Sequence, residues 1–499
     1  MKKTLTQHWQ NSVFLVVFVL FFVSINLGYY YFLVFSFELF TLFYAWLLEF
    51  AAFGLAYECT ELFLSLILRE TDLARLKKLK SCPPVALVCC TCDDVDINIL
   101  KNLGNQTYPN LHIFILDDSQ RKESQLVVDS SKFEVIRRPS RIGYKAGNLN
   151  NWLFRYGSYF PYFVVVDADS FIPDTFVEEM IHYAEHPTNY NIAIFESLIY
   201  AWNTKNGFVR LQNVMTPLVH RHRLRLDNRF ESTLSVGHNN LYRTAILIDI
   251  GGFDQNYIAE DYATSIKILR QRKWLCKTVP VLSYERLPTN LTEYIRRQAR
   301  WAFQTFQLLN LNISGLRWTI RLKIIRSLHH YLVPIVASFG IVMLVFFNLQ
   351  RWMFYPSFHI EYEMVEMLIK SKFFLFWIIY LFLPFILRII LALRERVTIV
   401  EYLRSTLFHS ALFVATIWPV IRRLTNFWTG DVLGFNVTGR SYSPTFLQII
   451  KLGGAGFVLI WIALFSVILN PIFAGLNLIW ILPSSLSPFI IYYYQNTTS

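Results

Sequence analysis

The chain has 499 residues, of which 54% are hydrophobic, 17% aromatic and only 16% charged, and its formal charge is +12. That composition excludes an ordinary soluble protein. The basic excess alone would admit a nucleic-acid partner. However, Lys2, Lys3, Lys77, Lys78, Lys80, Arg422, Arg423, Arg440 and Lys451 all flank apolar segments, where the positive-inside rule places them on the cytoplasmic side. No basic stripe interleaved with aromatics competes with this account, so no nucleic-acid partner is expected.

A membrane-crossing helix needs about 20 apolar residues. Such stretches occur near 13–34 and 37–57, then near 328–349, 372–394, 447–469 and 471–494. The first follows Lys2 and Lys3 as a signal peptide would, but it is long and a second span follows directly, so it reads as retained. Two spans return the chain to its starting side. The central block, 83–310, therefore lies on the lysine-marked cytoplasmic face between two helical bundles.

Within this block Val85-Ala86-Leu87-Val88 and the run 111–116 read as buried strands, as does 162–166. Four of the six cysteines, Cys82, Cys89, Cys90 and Cys92, crowd around the first strand. Neighbours on a strand face opposite ways, and no Cys or His pair follows at finger-like spacing. Buried reduced thiols fit better than zinc.

Two strands run straight into acidic pairs. In open α/β sheets ligands bind beyond the carboxyl ends of the strands. Asp117 and Asp118 can only accept hydrogen bonds, which suits a uracil imide and ribose hydroxyls better than a phosphate. Lys145, beside a glycine-containing loop, suits a charge contact to phosphate. Asp167 and Asp169 can hold Mg2+ or Mn2+ on a nucleotide diphosphate, because such an ion needs only one or two protein carboxylates. A solvated turn at a strand end is the bland alternative for Asp167 and Asp169.

Further on, Glu260 and Asp261 follow the Gly237-His238-Asn239 run. Attack by a sugar hydroxyl needs a base, and Asp261 is the candidate, with Glu260 orienting its surroundings. Both acids could equally cap the helix around 262–272. In the run 296–301, Arg297 and Arg300 share a helix face. An arginine fork can stabilise a departing diphosphate, while Trp301 offers a flat face to a sugar ring. A basic helix under the headgroups would explain the arginines but not the tryptophan.

The set Asp117-Asp118, Asp167-Ala168-Asp169, Glu260-Asp261, Arg297-Gln298-Ala299-Arg300-Trp301 and Phe435-Asn436-Val437-Thr438-Gly439-Arg440 resembles the processive family 2 glycosyltransferases of the cellulose synthase type. The resemblance implies a glycosyltransferase A-type, Rossmann-like α/β domain inserted between transmembrane bundles. By it, Asp117 and Asp118 contact uridine, Lys145 touches the phosphates, and Asp167 and Asp169 manage diphosphate and metal. Asp261 is the base, Arg300 holds the diphosphate and Trp301 supports the acceptor. Arg297 and Gln298 join the substrate contacts, and Phe435, Val437, Thr438 and Arg440 form a gating loop.

The implied reaction is inverting transfer of glucose from UDP-glucose to a growing β-glucan exported across the plasma membrane. Partners are the UDP-sugar, the glycan, membrane lipids and an accessory secretion protein. Alternatives are a chitin- or hyaluronan-type synthase using UDP-GlcNAc and a non-processive glycolipid glycosyltransferase. Three departures from the family are plain: Arg297-Gln298 swaps the usual order, Thr91-Cys92-Asp93-Asp94 lacks the family's tyrosine, and Ser170 replaces a histidine.

The expected organisation is two N-terminal spans in 1–70, the transferase domain in 83–310, and interface helices with two spans in 311–430. The gating loop follows in 431–443, with two further spans in 444–499. For the loop to work with a cytoplasmic site, 403–420 must lie along the membrane interface as an amphipathic helix.

Overall fold

The computed structural model describes residues 12–27, 39–71, 73–94, 96–121, 132–354, 372–428, 442–468 and 481–498. The central block forms a seven-stranded mixed sheet of β1 (Val85–Thr91), β2 (Leu111–Asp117), β3 (Glu134–Ile136), β4 (Tyr162–Asp167), β5 (Ile192–Ala201), β6 (Asn240–Arg243) and β7 (Leu275–Glu285). Its order is β3-β2-β1-β4-β6-β5-β7. All pairs are parallel except those of β6, which runs antiparallel to β4 and β5.

β1 and β4 are apolar up to their last residues, Thr91 and Asp167, because both faces of the sheet are covered. Side chains alternate between the layers. Ala86, Val88, Phe163 and Val165 pack with Leu149, Trp152 and Leu153 of α4 (Tyr144–Tyr156). Val85, Leu87, Cys89, Val164 and Val166 pack instead with α3 (Ile97–Leu103) and α5 (Phe176–Ala184). Cys89 and Cys90 thus point to opposite layers as free thiols. Burial raises the pKa of both above the ordinary thiol value.

The register sets the site. Thr91 pairs with Asp117 and Cys90 with Asp167, so the two acidic strand ends flank β1 at the carboxyl end of the parallel strands. The turn after β4 is clamped from α3. Asn102 Nδ2 donates to the Ile172 carbonyl at 2.8 Å, and the Ile172 N–H donates to Asn102 Oδ1 at 3.0 Å.

Shorter helices complete the block: α6 (Gly207–Asn213), α7 (Thr216–His222), α8 (Asn228–Phe230), α9 (Thr244–Asp249), α10 (Glu260–Arg270) and α11 (Leu291–Gln307). A single π turn, Arg223–Asp227, joins α7 to α8.

Around the block lie α1 (Ser12–Leu27), α2 (Leu39–Ile67), α12 (Trp318–Phe354), α13 (Lys372–Arg394), α14 (Ile399–Trp428), α15 (Phe446–Leu452), α16 (Gly454–Ile468) and α17 (Ser487–Asn496). Among the described residues three helical stretches are long and apolar enough to cross a bilayer: Glu49–Ile67, Trp318–Met343 and Ile399–Thr425. A fourth would be α15 with α16, which meet at a bend of 84°. The third stretch covers the segment expected to lie along the interface. There, Ser405 Oγ donates to the Leu211 carbonyl at 2.9 Å, and Phe408 meets Phe208 at 4.9 Å between ring centroids. At the other end the Arg423 guanidinium lies 4.8 Å over the Phe303 ring. Positions 405 and 423 are about 27 Å apart along a helix, and both touch the central block.

Asn102→Ala would leave the buried Ile172 N–H and C=O unpaired, at a cost of roughly 2–4 kcal/mol. We expect a lower thermal unfolding midpoint for the full chain in detergent, and an unchanged midpoint would remove Asn102 from this role.

Candidate active site

The short edge strand β3 exists to deliver two arginines. Leu116 pairs with Ile136, so the next residues bring Arg137 beside Asp117 and Arg138 beside Asp118. Arg137 Nε donates to Asp117 Oδ2 at 2.9 Å, while the Ser119 N–H donates to Asp117 Oδ1 at 2.9 Å. Arg138 forms a two-pronged pair with Asp118, at 2.9 Å through Nε and 2.6 Å through Nη2. Each carboxylate oxygen has two lone pairs, so both acids can still accept from a ligand.

Arg138 also donates to the carbonyls of Ile142 and Tyr144, both at 2.7 Å. It therefore ties the loop before α4 to the end of β2. Gly143 at the start of α4 has φ 72, a conformation that glycine adopts without steric cost. The sequence motifs missed both arginines, although two basic residues after a short strand are a usable signal for two acids.

Lys145, in the first turn of α4, reaches across the strand ends. Its Nζ donates to Asp167 Oδ1 at 2.6 Å and to the Gly237 carbonyl at 3.0 Å, and lies 4.0 Å from Glu260 Oε1. Burial by itself would depress its pKa, but Asp167 and Glu260 outweigh that and hold it above the ordinary lysine value. Burial likewise pushes Asp167 up, and the charges of Lys145 and His238 bring it below the usual carboxylate value. About a third of the Asp167 side chain, 34%, remains open to the cleft. Asp169 behaves differently: burial and the neighbouring Asp167 raise it to about 7.

His238 was not assigned from sequence. Nδ1 faces the Val236 carbonyl at 3.1 Å and Asp167 Oδ2 at 3.9 Å, and Nε2 faces Glu285 Oε2 at 3.4 Å. Acceptors on both nitrogens select the imidazolium. Burial opposes the charge, but the Glu285 hydrogen bond and then Asp167 raise the pKa to about 9. Glu285 ends β7, a strand that only long-range pairing with β5 defines.

The loop before β6 joins these groups to the two remaining acids. Gly237 has φ +84, and a Cβ there would stand 2.8 Å from Asp261 Oδ2. Glycine therefore lets the backbone lie against Asp261 while its carbonyl holds Lys145. The buried Glu196 accepts the Val236 N–H at 2.7 Å and pairs with Arg223 of the π turn at 3.4 Å. Glu260 and Asp261 open α10. Burial, then the charge of Asp261, raises Glu260 to about 7, and burial also raises Asp261.

On α11 the Arg297 guanidinium lies 4.7 Å over the Trp301 ring and donates to Gln212 Oε1 at 3.1 Å. The swapped arginine thus stacks on the tryptophan. Burial lowers the pKa of Arg300, partly opposed by Asp167, whose charge it feels. Gln298 hydrogen-bonds Tyr294. Phe435, Val437, Thr438 and Arg440 lie outside the described residues.

Among the described residues no group of three or more His, Cys, Asp or Glu is arranged to hold a metal. The Asp167 and Asp169 carboxylates nevertheless suit a hard cation that takes most of its ligands from phosphate and water. Asp169 lies exposed beside the like charge of Asp167, and a divalent cation between them would relieve that repulsion.

Residues 162–393 match the family described as "Glycosyl transferase family group 2". The chain is 25% identical over 260 residues to the "Glucans biosynthesis glucosyltransferase H" of Xylella fastidiosa (strain 9a5c), covering 46% of this chain and 40% of that protein. The protein of the same name from Rhodopseudomonas palustris (strain TIE-1) is 23% identical over 272 residues, 51% of this chain and 36% of its own length. The matched regions therefore span less than half the length of these relatives. Among solved structures, a mannosyltransferase from Pyrobaculum calidifontis in complex with GDP-Man and Mn2+ is similar at a TM-score of 0.45 and 15% identity, covering 68% of this chain and 94% of that one. With this family match, the mixed α/β sheet is the A-type glycosyltransferase fold expected from the motifs.

Gly237→Ala would strain the backbone and displace Asp261 and the carbonyl partner of Lys145. We expect glycosyl transfer to fall by about 100-fold with little loss of thermal stability; a near-normal rate would show that the close approach is dispensable.

Proposed function

Since residues 162–393 match glycosyl transferase family group 2, we propose that the protein transfers glucose from UDP-glucose, with inversion, to a growing β-glucan and exports the polymer across the plasma membrane. The observation that carries this reading is the convergence of Lys145, Asp167, Glu260 and Asp261 on the Gly237 loop. The relatives' name, glucans biosynthesis glucosyltransferase, supports glucose and glucan over the alternatives.

In the proposed step an acceptor hydroxyl oxygen attacks the anomeric carbon, the bond to the UDP oxygen breaks, and Asp261 takes the hydroxyl proton. Lys145 and Arg300 offset the charge that develops on the diphosphate. Asp167 and Asp169 would hold Mg2+ or Mn2+, which supplies further neutralisation of that charge. Asp117 and Asp118, fixed by their arginines, accept from the uridine. Trp301 supports the acceptor sugar, with Arg297 and Gln298 shaping its surroundings, and the loop of Phe435, Val437, Thr438 and Arg440 closes over bound donor. Membrane lipids and an accessory secretion protein complete the partners.

A cytoplasmic gate needs α14 on the interface rather than across the bilayer. The contacts of Ser405 and Arg423 with the central block support that placement.

Purified protein given a panel of UDP-sugars with magnesium or manganese, followed by linkage analysis, tests the whole reading. Long β-glucan from UDP-glucose is expected. A polymer from UDP-GlcNAc or short glycolipids would replace it with one of the alternatives.

Asp261→Asn should abolish transfer while UDP still binds, and retained turnover would remove Asp261 as base. As a base Asp261 must be deprotonated to act, and burial raises its pKa above the ordinary carboxylate value. The rate should therefore fall with falling pH before an ordinary aspartate would titrate; a rate that holds down to about pH 4 contradicts the assignment. Phe435→Ala or Thr438→Ala should slow synthesis without unfolding the protein, and unchanged rates in both would count against a gate.

A further inference from the structure

Beyond the motifs, one exposed aromatic beside the cleft has no part in the core. Trp202 is 43% exposed, yet it is held on several sides. Its indole N–H donates to the Asp169 carbonyl at 3.1 Å, and its backbone N–H donates to the Glu285 carbonyl at 3.2 Å. The next residue, Asn203, forms a reciprocal pair with Leu287: Nδ2 donates to the carbonyl at 3.0 Å, and the Leu287 N–H donates to Oδ1 at 3.1 Å. The preceding Ala201 N–H donates to Asn213 Oδ1 at 3.1 Å. A ring fixed this firmly gains little from burial, so its order serves something other than packing.

The position connects it to both parts of the proposed reaction. Asp169 and Glu285 are its direct anchors, and Glu285 also holds His238 beside Asp167. The charge of Arg297 acts on that same Glu285 carboxylate, and Arg297 stacks on Trp301. α6, which follows Trp202 closely, supplies Gln212 to Arg297. Two exposed tryptophans, Trp202 and Trp301 at 43% and 39%, thus flank the Glu285 and Arg297 side chains.

We propose that Trp202 is a second acceptor-binding platform, on which a pyranose ring of the glycan stacks in addition to the one carried by Trp301. A large, amphipathic ring with its N–H already satisfied offers an apolar face for the C–H face of a sugar. Its preset orientation lowers the ordering cost of binding. This subsite rests on the glycan-synthase reading above, but its test does not depend on the donor.

Binding of β-linked gluco-oligosaccharides of two to six units to the purified full chain, without donor, is measured by calorimetry for wild type, Trp202→Ala and Trp202→Phe. We expect at least a fivefold loss of affinity for the longer oligosaccharides in Trp202→Ala, partial recovery in Trp202→Phe, and unchanged UDP binding in both. Equal affinity in all three proteins overturns the proposal, as does wild type that binds none of the oligosaccharides or a loss of UDP binding that parallels the loss of oligosaccharide. Capture of a protein on this surface with no oligosaccharide effect also overturns it. Failure of UDP-glucose in the donor panel, by contrast, would sink the proposed donor and leave this result standing.

Discussion

A buried ammonium holds the site together. Lys145 sits where burial disfavours its charge, and Asp167 and Glu260 restore it. Without it, Asp167, Asp169, Glu260 and Asp261 would crowd one cleft with like charges, and repulsion would force protonation or separation. With it, Asp167 stays ionised and the Gly237 carbonyl is drawn into the same cluster. The extra cation at His238 shares this duty and is itself braced by Glu285. The site is thus a balanced set of charges whose members cannot be moved singly.

The surrounding helices enter this balance through Arg223 and its neighbours. Arg223 lies in the π turn between α7 and α8 and pairs with Glu196, which holds the Val236 N–H beside Gly237. Nearby, Arg221 pairs with Glu70 and Glu395, and Lys323 with Asp227. The segment that carries the Lys145 acceptor is therefore anchored in the ion pairs that join the block to the helices around it.

Much of this was legible in the sequence because it is local. The strands expected at 85–88, 111–116 and 162–166 are β1, β2 and β4, and the apolar runs of β2 and β4 end in acids. Residues that meet only through distant pairing were not legible. Arg137 and Arg138 reach Asp117 and Asp118 through the β2–β3 register, and Glu285 reaches His238 through the placement of β7. Composition alone also could not choose an orientation for α14, since a helix apolar enough to cross a bilayer can instead lie along a protein surface. The swap at Arg297-Gln298 was visible as a departure, but its effect, a guanidinium stacked on Trp301, required the fold.

The register of β1 has a metric consequence. Asp117 and Asp167 flank a single strand, so their backbones are two interstrand spacings apart, about 10 Å. Neither can drift without breaking the ladder that both share. If one end grips the base and the other the diphosphate, the sheet acts as a caliper set to one length of nucleotide. A donor with a longer or shorter reach between those ends would satisfy one jaw and miss the other, whatever sugar it carried.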